Sequence, residues 1–285
     1  MPEYVDDIIV VDDCSSDGTA EAALACADSR VVVLKTPTNH GVGGATILGY
    51  RKAMELQAAI AVKMDGDGQM PSEHLHSLLD ALIEQGYDYA KGNRFLVSEA
   101  LTFMPKHRLI GNIILTFFTK LASGYWQVFD PQNGYTAIRV EALRLLNLDA
   151  VHKRFFFEND MLVSLNIRQC RVKDVAMPAR YADEESDINL MRIILTFPLL
   201  LVRRYLHRVY QRYVLRDFSP IALFLFAGSV LFGWGIIFGI YLWIKTAITA
   251  TATPTGTIIL ALLPLILGFQ LILEAIVLDI RETPT

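Results

Sequence analysis

Hydrophobic positions in the first half of the chain fall in short β-branched runs separated by helix-length stretches, and each run ends in a polar turn. Ile8-Ile9-Val10-Val11, bounded by acids on both sides, predicts a strand; the turn Asp12 to Thr19 follows, and Ala20 to Ala27 is good helix sequence. Val31 to Leu34 predicts the next strand, and Asn39 to Ala45 opens a helix that runs to about Gln57. A third strand is expected at Ala59 to Val62, a helix from Ser72 through Ile83, and an extended run from Tyr87 to Gly92. Another helix is expected from Met104 to Leu121, and Thr136 to Ile138 is a further short extended run. Alternation of this kind predicts an α/β domain with a mainly parallel sheet and helices on both faces.

Beyond Asp187 the pattern changes. Leu190 to Val202 is apolar but short and interrupted by Pro198, which reads as an interfacial segment rather than a span. Arg203, Arg204, Arg208, Arg212 and Arg216 follow, interleaved with Tyr205, Tyr210 and Tyr213, as a basic belt suited to anionic headgroups. Ile221 to Ile244 carries no charge over about 24 residues, roughly 36 Å of helix, and predicts a transmembrane helix. After the Thr/Ala/Pro loop Lys245 to Gly256, Thr257 to about Leu278 predicts a second, with Glu274 read as lying towards the interface. Three regions result: a globular domain over 1–189, a juxtamembrane amphipathic basic segment over 190–219 and a transmembrane hairpin over 220–285. The arginine excess before the first span places the globular domain and both termini in the cytoplasm by the positive-inside rule, and Met1-Pro2-Glu3-Tyr4 does not read as a signal peptide.

Composition sharpens this only in part. A mean hydropathy of +0.35 reflects the apolar C-terminal third. The formal net charge of -4 gives no general attraction to nucleic acid, and no nucleic-acid motif is present. Cys14, Cys26 and Cys170 form neither a C-x-x-C pair nor a zinc spacing, so reduced thiols are expected.

Candidate chemistry centres on Asp65-Gly66-Asp67-Gly68-Gln69, just after the third strand, where open α/β sheets bind ligands. Asp65 and Asp67, two apart across a glycine, can approach one hard cation from the same side while Gln69 adds a neutral oxygen. A polar turn with Asx-type hydrogen bonds accounts for the same residues, and both readings stay open. The glycines of Asn39 to Ala45 suit phosphate cradling or, better, close helix-to-sheet packing. Lys106, His107 and Arg108 crowd cations into a helix start, which a nearby phosphate or a solvated basic face would explain. Phe129 to Tyr135 is turn-rich, and Phe155 to Asp160 sets Glu158 and Asp160 beside aromatics, of which Phe155 and Phe157 read as core.

Taken in order, V-D-D-C-S-S-D-G-T at 11–19, N-H-G-V-G-G-A at 39–45, D-G-D-G-Q at 65–69, G-N-R-F at 92–95, N-G-Y at 133–135 and F-E-N-D at 157–160 resemble glycosyltransferase family 2, within it the polyprenyl-phosphate glycosyltransferases. The resemblance implies a GT-A fold, a nucleotide-sugar donor linked to UDP or GDP, Mg2+ or Mn2+, and inverting transfer of a hexose to undecaprenyl or dolichyl phosphate. Carried onto this chain, it makes Asp65, Asp67 and Gln69 the metal and diphosphate ligands and Asp13 a base or ribose contact. Arg94 becomes a phosphate contact, and Lys106 with Arg108 the acceptor-phosphate site. Asp67, Asp130 and Arg94 are the implied catalytic residues, and Glu158 and Asp160 match positions near the reacting centre. It also implies an extra first strand ending in a P-x-Y-N-E type motif, absent before Ile8 here, so the sheet is expected to lack a central strand. Another lipid or polysaccharide acceptor, or a truncated inactive membrane scaffold, are the alternatives, and the paired spans are compatible with a homo-oligomer.

Overall fold

The structure, a computed structural model, describes residues 1–96, 106–178 and 190–284, with residues 106–110 and 190–195 described in their backbone only. Two compact units are present, Met1–Leu206 with Pro284–Thr285, and His207–Thr283.

In the first unit, β1 (Ile8–Asp12) leads through an acidic turn into α1 (Thr19–Ala25), then β2 (Val31–Lys35) and α2 (Val42–Glu55). β1 and β2 pair in parallel, from Ile8 with Val31 to Asp12 with Lys35. β3 (Ile60–Lys63), a 3-10 turn at Ser72–His74, α3 (Leu75–Ile83) and β4 (Tyr89–Asn93) follow. After a second 3-10 turn, Arg94–Leu96, come α4 (Lys106–Ser123), β5 (Thr136–Arg139), α5 (Val140–Leu145), α6 (Phe157–Ile167) and β6 (Val172–Ala176). The second sheet has the order β3-β5-β4-β6. β4 and β6 are parallel, whereas β5 runs antiparallel to both β3 and β4. The α/β expectation holds, with one reversed strand. β5 is fed by the turn-rich Phe129–Tyr135 segment directly from the site end of the sheet, so it enters pointing the opposite way to a strand that follows a crossover helix. Among the described residues β1 pairs with β2 alone and β3 with β5 alone.

The main core lies between α2, α6 and the second sheet, where Ile47, Tyr50, Tyr89, Ile138, Leu143 and Leu162 meet. Each such side chain contributes about 1.5–3 kcal/mol by leaving water. Tyr125 is buried with its hydroxyl donating to the Cys170 carbonyl at 2.6 Å. A smaller cluster joins Ala122 of α4 to Phe156, Phe197 and Leu201. Phe197 and Leu201 lie on α7 (Leu190–Val209), which continues past Pro198. Pro198 therefore does not end the segment as the sequence suggested; an interior proline removes one backbone hydrogen bond and bends a helix, and packing on both sides of it keeps this one continuous. Phe156 and Phe157 are buried, but Phe155 is exposed, because it precedes α6 and faces away from the core.

In the second unit the π-helical turn Tyr210–Val214 precedes α8 (Pro220–Thr249) and α9 (Thr255–Arg281). Both long helices have the length and apolarity needed to cross a bilayer. Ser219 caps α8, its hydroxyl accepting from the Ile221 N–H at 3.3 Å, with Pro220 in the first helical position. The buried residues Gly228, Gly235 and Leu242 of α8 and Ala261, Gly268 and Ala275 of α9 recur every seven positions. A Cβ on Gly228 would come within 3.0 Å of the Gly268 carbonyl, and one on Gly235 within 2.7 Å of Leu265. Small residues at this spacing let the two backbones approach along one seam.

Asp279 on α9 accepts both guanidinium nitrogens of fully buried Arg208, at 2.7 and 2.9 Å, and the Tyr213 hydroxyl. Arg212 donates to the Glu282 carbonyl at 2.5 Å. Two arginines of the expected headgroup belt are thus internal to this unit, while Arg203 and Arg216 are exposed. The sequence pattern shows where arginines cluster, not which of them find a carboxylate some 70 positions away.

Candidate active site

The turn Phe129–Tyr135 gathers side chains from four elements. Asp130, almost wholly buried, accepts Arg94 in a fork: Nε to Oδ2 at 2.7 Å and NH2 to Oδ1 at 3.0 Å, with the Arg94 backbone N–H on Oδ2 at 3.2 Å. Gln132 donates to Asn159 Oδ1 at 3.1 Å, an oxygen that Thr119 of α4 also reaches at 3.0 Å. The Asn133 carbonyl accepts the ammonium of Lys91 on β4, and the Gly134 carbonyl that of Lys63 on β3, at 3.4 Å. Bidentate pairing fixes the guanidinium plane of Arg94 as a single ammonium contact could not.

Lys63 is the last residue of β3. The two-residue strand period turns it inward with Ala61, and it is buried. Its ammonium lies 2.8 Å from Asp65 Oδ1 and 3.4 Å from Glu158 Oε1. Asp65 Oδ2 is turned towards Gly134, where a Cβ would come within 2.5 Å of both that oxygen and Lys63 Nζ. A bare backbone at 134 leaves a cradle beside the carboxylate. Asp67 is exposed and its Oδ1 accepts the Gln69 N–H at 2.9 Å, an Asx turn completed by Gly68 at a φ of 72°. The polar-turn reading of the acidic segment is met by this hydrogen bond. Two carboxylates and an amide are a hard-oxygen donor set, and with the cradle at Gly134 they fit a divalent ion such as Mg2+ or Mn2+. Gln69 and Arg94 line one cleft together with Met70, His74 and Asn133, and Arg94 also lines a second cleft with Asn112, Thr116, Asp130 and Gln132.

Asp13 has a different set of partners. Its Oδ1 accepts the Thr36 hydroxyl at 2.8 Å and the His40 N–H at 2.9 Å, and its Oδ2 accepts the Gly41 N–H at 2.6 Å. Partial burial opposes ionisation, but these three donors together hold its carboxyl below the usual range. Asp13 thus ties the end of β1 to the loop that opens α2. The side chains of Lys106 and Arg108 lie outside the described residues.

The glycines opening α2 serve packing, as expected, but against a loop and not the sheet. Gly44 donates to the Lys153 carbonyl at 3.0 Å, and a Cβ on Gly43 would meet the His152 carbonyl at 2.7 Å and Phe157 at 2.8 Å. Backbone cannot move aside as a side-chain tip can. Gly43→Ala is therefore expected to destabilise the first unit by about 2 kcal/mol despite alanine's better helix propensity, read as a fall in thermal midpoint. The same contact seats α6, which carries Glu158 and Asp160. Asp160 is buried, accepts the His152 N–H at 2.8 Å and pairs with Arg204; burial pushes its pKa up, against the pull of that guanidinium.

Two groups escaped sequence reasoning, Lys91, which is fully buried, and Asp174, which is half-buried. Burial pushes the pKa of Lys91 down to about 8, while Glu158, Asp130 and Asp174 favour its charged form. Asp174 on β6 accepts the Phe129 N–H at 2.7 Å and Asn93 Nδ2 at 2.6 Å, tethering the start of the turn. Burial pushes Asp174 up to about 6. A lysine or aspartate at an inward strand register was the available signal. Because the folded pKa of Asp174 lies above its unfolded value of about 3.9, its neutral form favours the fold. That contribution is complete below pH ~4 and is lost as pH rises through about 6. Asp174→Asn keeps an oxygen for both donors and cannot ionise, so stability relative to wild type should grow from pH ~4 to ~6 and level off above; thermal midpoints across that range check this.

Residues 2–146 match the sequence profile of Glycosyl transferase family 2. A protein of Methanococcus voltae named UDP-N-acetylglucosamine--dolichyl-phosphate N-acetylglucosaminyltransferase is 31% identical over 192 residues, 62% of this chain and 76% of that protein. The undecaprenyl-phosphate mannosyltransferase of Micrococcus luteus is 34% identical over 158 residues, 54% of this chain and 64% of that one. Among solved structures, glucosyl-3-phosphoglycerate synthase from Mycobacterium tuberculosis in complex with Mg2+ and UDP shares the fold at a TM-score of 0.50 and 20% identity, covering 72% of this chain and 68% of that one. These likenesses define the class, a GT-A-type glycosyltransferase. The chain belongs to glycosyl transferase family 2.

Proposed function

We propose that this enzyme transfers a hexose, with inversion, from a UDP- or GDP-linked donor to a polyprenyl phosphate, undecaprenyl or dolichyl, at the cytoplasmic face of a membrane. The observation that carries the reading is the Asp65–Gly134 cradle next to the Arg94–Asp130 fork, in a chain that also holds two helices of membrane-crossing length. The names of the relatives from Methanococcus voltae and Micrococcus luteus point to the same acceptor class. The first unit adds support: α4 buries Thr116, Thr119 and Ala122 on one side and exposes Ile113, Ile114, Phe117 and Phe118 on the other, an apolar stripe suited to lying along a bilayer surface.

In this reading Asp65, Asp67 and Gln69 hold Mg2+ or Mn2+, which when bound offsets the charge of the departing nucleoside diphosphate. Arg94, held flat by Asp130, lines the cleft it shares with Gln69 and is assigned to a phosphate there. Asp130 acts by orienting Arg94, since both its oxygens are engaged. A phosphate monoester is already an anion near neutrality, its second pKa being about 6, so attack requires no strong general base. Lys106 and Arg108 are assigned to the acceptor phosphate, and Asp13 to shaping the loop that faces the nucleotide.

Purified full-length protein in detergent with polyprenyl phosphate and radiolabelled UDP- and GDP-sugars tests this. Labelled lipid should form and should be abolished by EDTA and restored by Mg2+ or Mn2+. Transfer that persists in EDTA would remove the metal role, and label appearing only in a soluble or polymeric acceptor would replace the lipid.

A further inference from the structure

Lys63 places its side-chain nitrogen inside the proposed cation site. Its side chain is only 6% exposed, a depth at which an unpaired ammonium is costly, and it touches Asp65 Oδ1, Glu158 Oε1 and the Gly134 carbonyl. Asp65 is about one-third exposed and is the partner that faces the cradle, whereas Glu158 is nearly buried behind it. The ammonium therefore has two anionic partners, one shared with the cradle and one not. A divalent ion taking Asp65 would meet the Lys63 charge across the same carboxylate.

We infer that Lys63 is a built-in counter-cation that competes with the divalent ion for Asp65, and that Glu158, with the Gly134 carbonyl, is the seat onto which Lys63 withdraws when the ion is bound. The inference rests on the assignment of Asp65 as a ligand made above. It gives Lys63 and Glu158 a positioning role. In the metal-free protein Lys63 keeps Asp65 in place at the end of β3. With the ion bound, Glu158 takes over the ammonium, so two like charges do not face each other over one carboxylate. Metal affinity is then set by a three-way balance and not by the acidic turn alone.

Removing the competitor and removing its fallback must act in opposite directions. Mn2+ binding to full-length protein, followed by the EPR signal of free Mn2+, is the measurement, since it needs no turnover. Lys63→Met should bind Mn2+ about two- to fivefold more tightly than wild type, the range a partly exposed ion pair supports. Glu158→Gln should bind a few-fold more weakly, because Lys63 then depends on Asp65. The double variant separates contact from general field. If Glu158 acts through Lys63, Glu158→Gln makes no further change in the Lys63→Met background; if both act only by their charge, the two effects add.

Additive effects, or a Lys63→Met protein that is folded and binds no more tightly than wild type, overturn the inference while leaving the metal site standing. Should Lys63→Met fail to fold, Glu158→Gln decides alone, and an affinity equal to wild type overturns it. Absence of Mn2+ binding in every form, wild type included, removes the metal assignment and this inference together.

Discussion

Asp65→Asn is expected to lower sugar transfer to polyprenyl phosphate by about 100- to 1000-fold while leaving the thermal midpoint nearly unchanged. The carboxamide oxygen can still accept the Lys63 ammonium, so the end of β3 keeps its hydrogen bond. What disappears is a full negative charge at the cradle beside Gly134. A group that stabilises charge developing only in the transition state typically contributes two to three orders of magnitude, and loss of a metal ligand belongs to that class. The defect should appear mainly in kcat at saturating metal and in the metal requirement at limiting metal. Initial rates against Mn2+ concentration check both. Rates equal to wild type at every Mn2+ concentration would show that Asp65 is no ligand, and a collapse of the thermal midpoint would show that its role is structural.

This prediction stands on a residue whose type and spacing were legible in the sequence. Two acids flanking a glycine after an apolar run identify a strand end with hard ligands whatever the rest of the fold does, because the strand period and the turn chemistry are both local. The same locality gave β1 to β4, the opening of α2 and the two long apolar helices. What remained hidden was long-range pairing. Nothing near Lys63 or Lys91 in the sequence indicates that their ammonium groups end on successive carbonyls of the 133–134 turn, and the partners of Asp130 and Asp174 lie 36 and 45 positions away. The reversed direction of β5 was hidden for the same reason, since a four-residue strand does not encode which way its neighbours run. Phe155 shows the limit at single-residue scale: of three consecutive aromatics entering a helix, the one in the turn before the N-cap is left exposed.

Asp279→Ala is expected to destabilise the second unit by about 3–5 kcal/mol, the cost of breaking a buried pair by removing one partner. Arg208 is 0% exposed, and both nitrogens that face Asp279 would lose a charged acceptor, as would the Tyr213 hydroxyl. The seam of Gly228, Gly235, Ala261, Gly268 and Ala275 holds α8 and α9 together by close packing, which a local charge imbalance does not touch. The loss should therefore fall on the attachment of the Tyr210–Val214 turn to the end of α9 and leave helix content intact. Replacing all three groups, with Arg208→Met, Tyr213→Phe and Asp279→Leu, should return most of the stability or exceed wild type, since desolvating a buried pair often costs as much as the pair returns. Thermal melts in lipid nanodiscs, followed by far-UV circular dichroism and by limited proteolysis near residue 210, distinguish the two. If the single and triple variants are equally unstable, the three groups matter for their shape. If neither differs from wild type, the pair is open to water in the membrane-bound protein, and Arg208 and Arg212 rejoin the headgroup-facing arginines that the sequence first suggested.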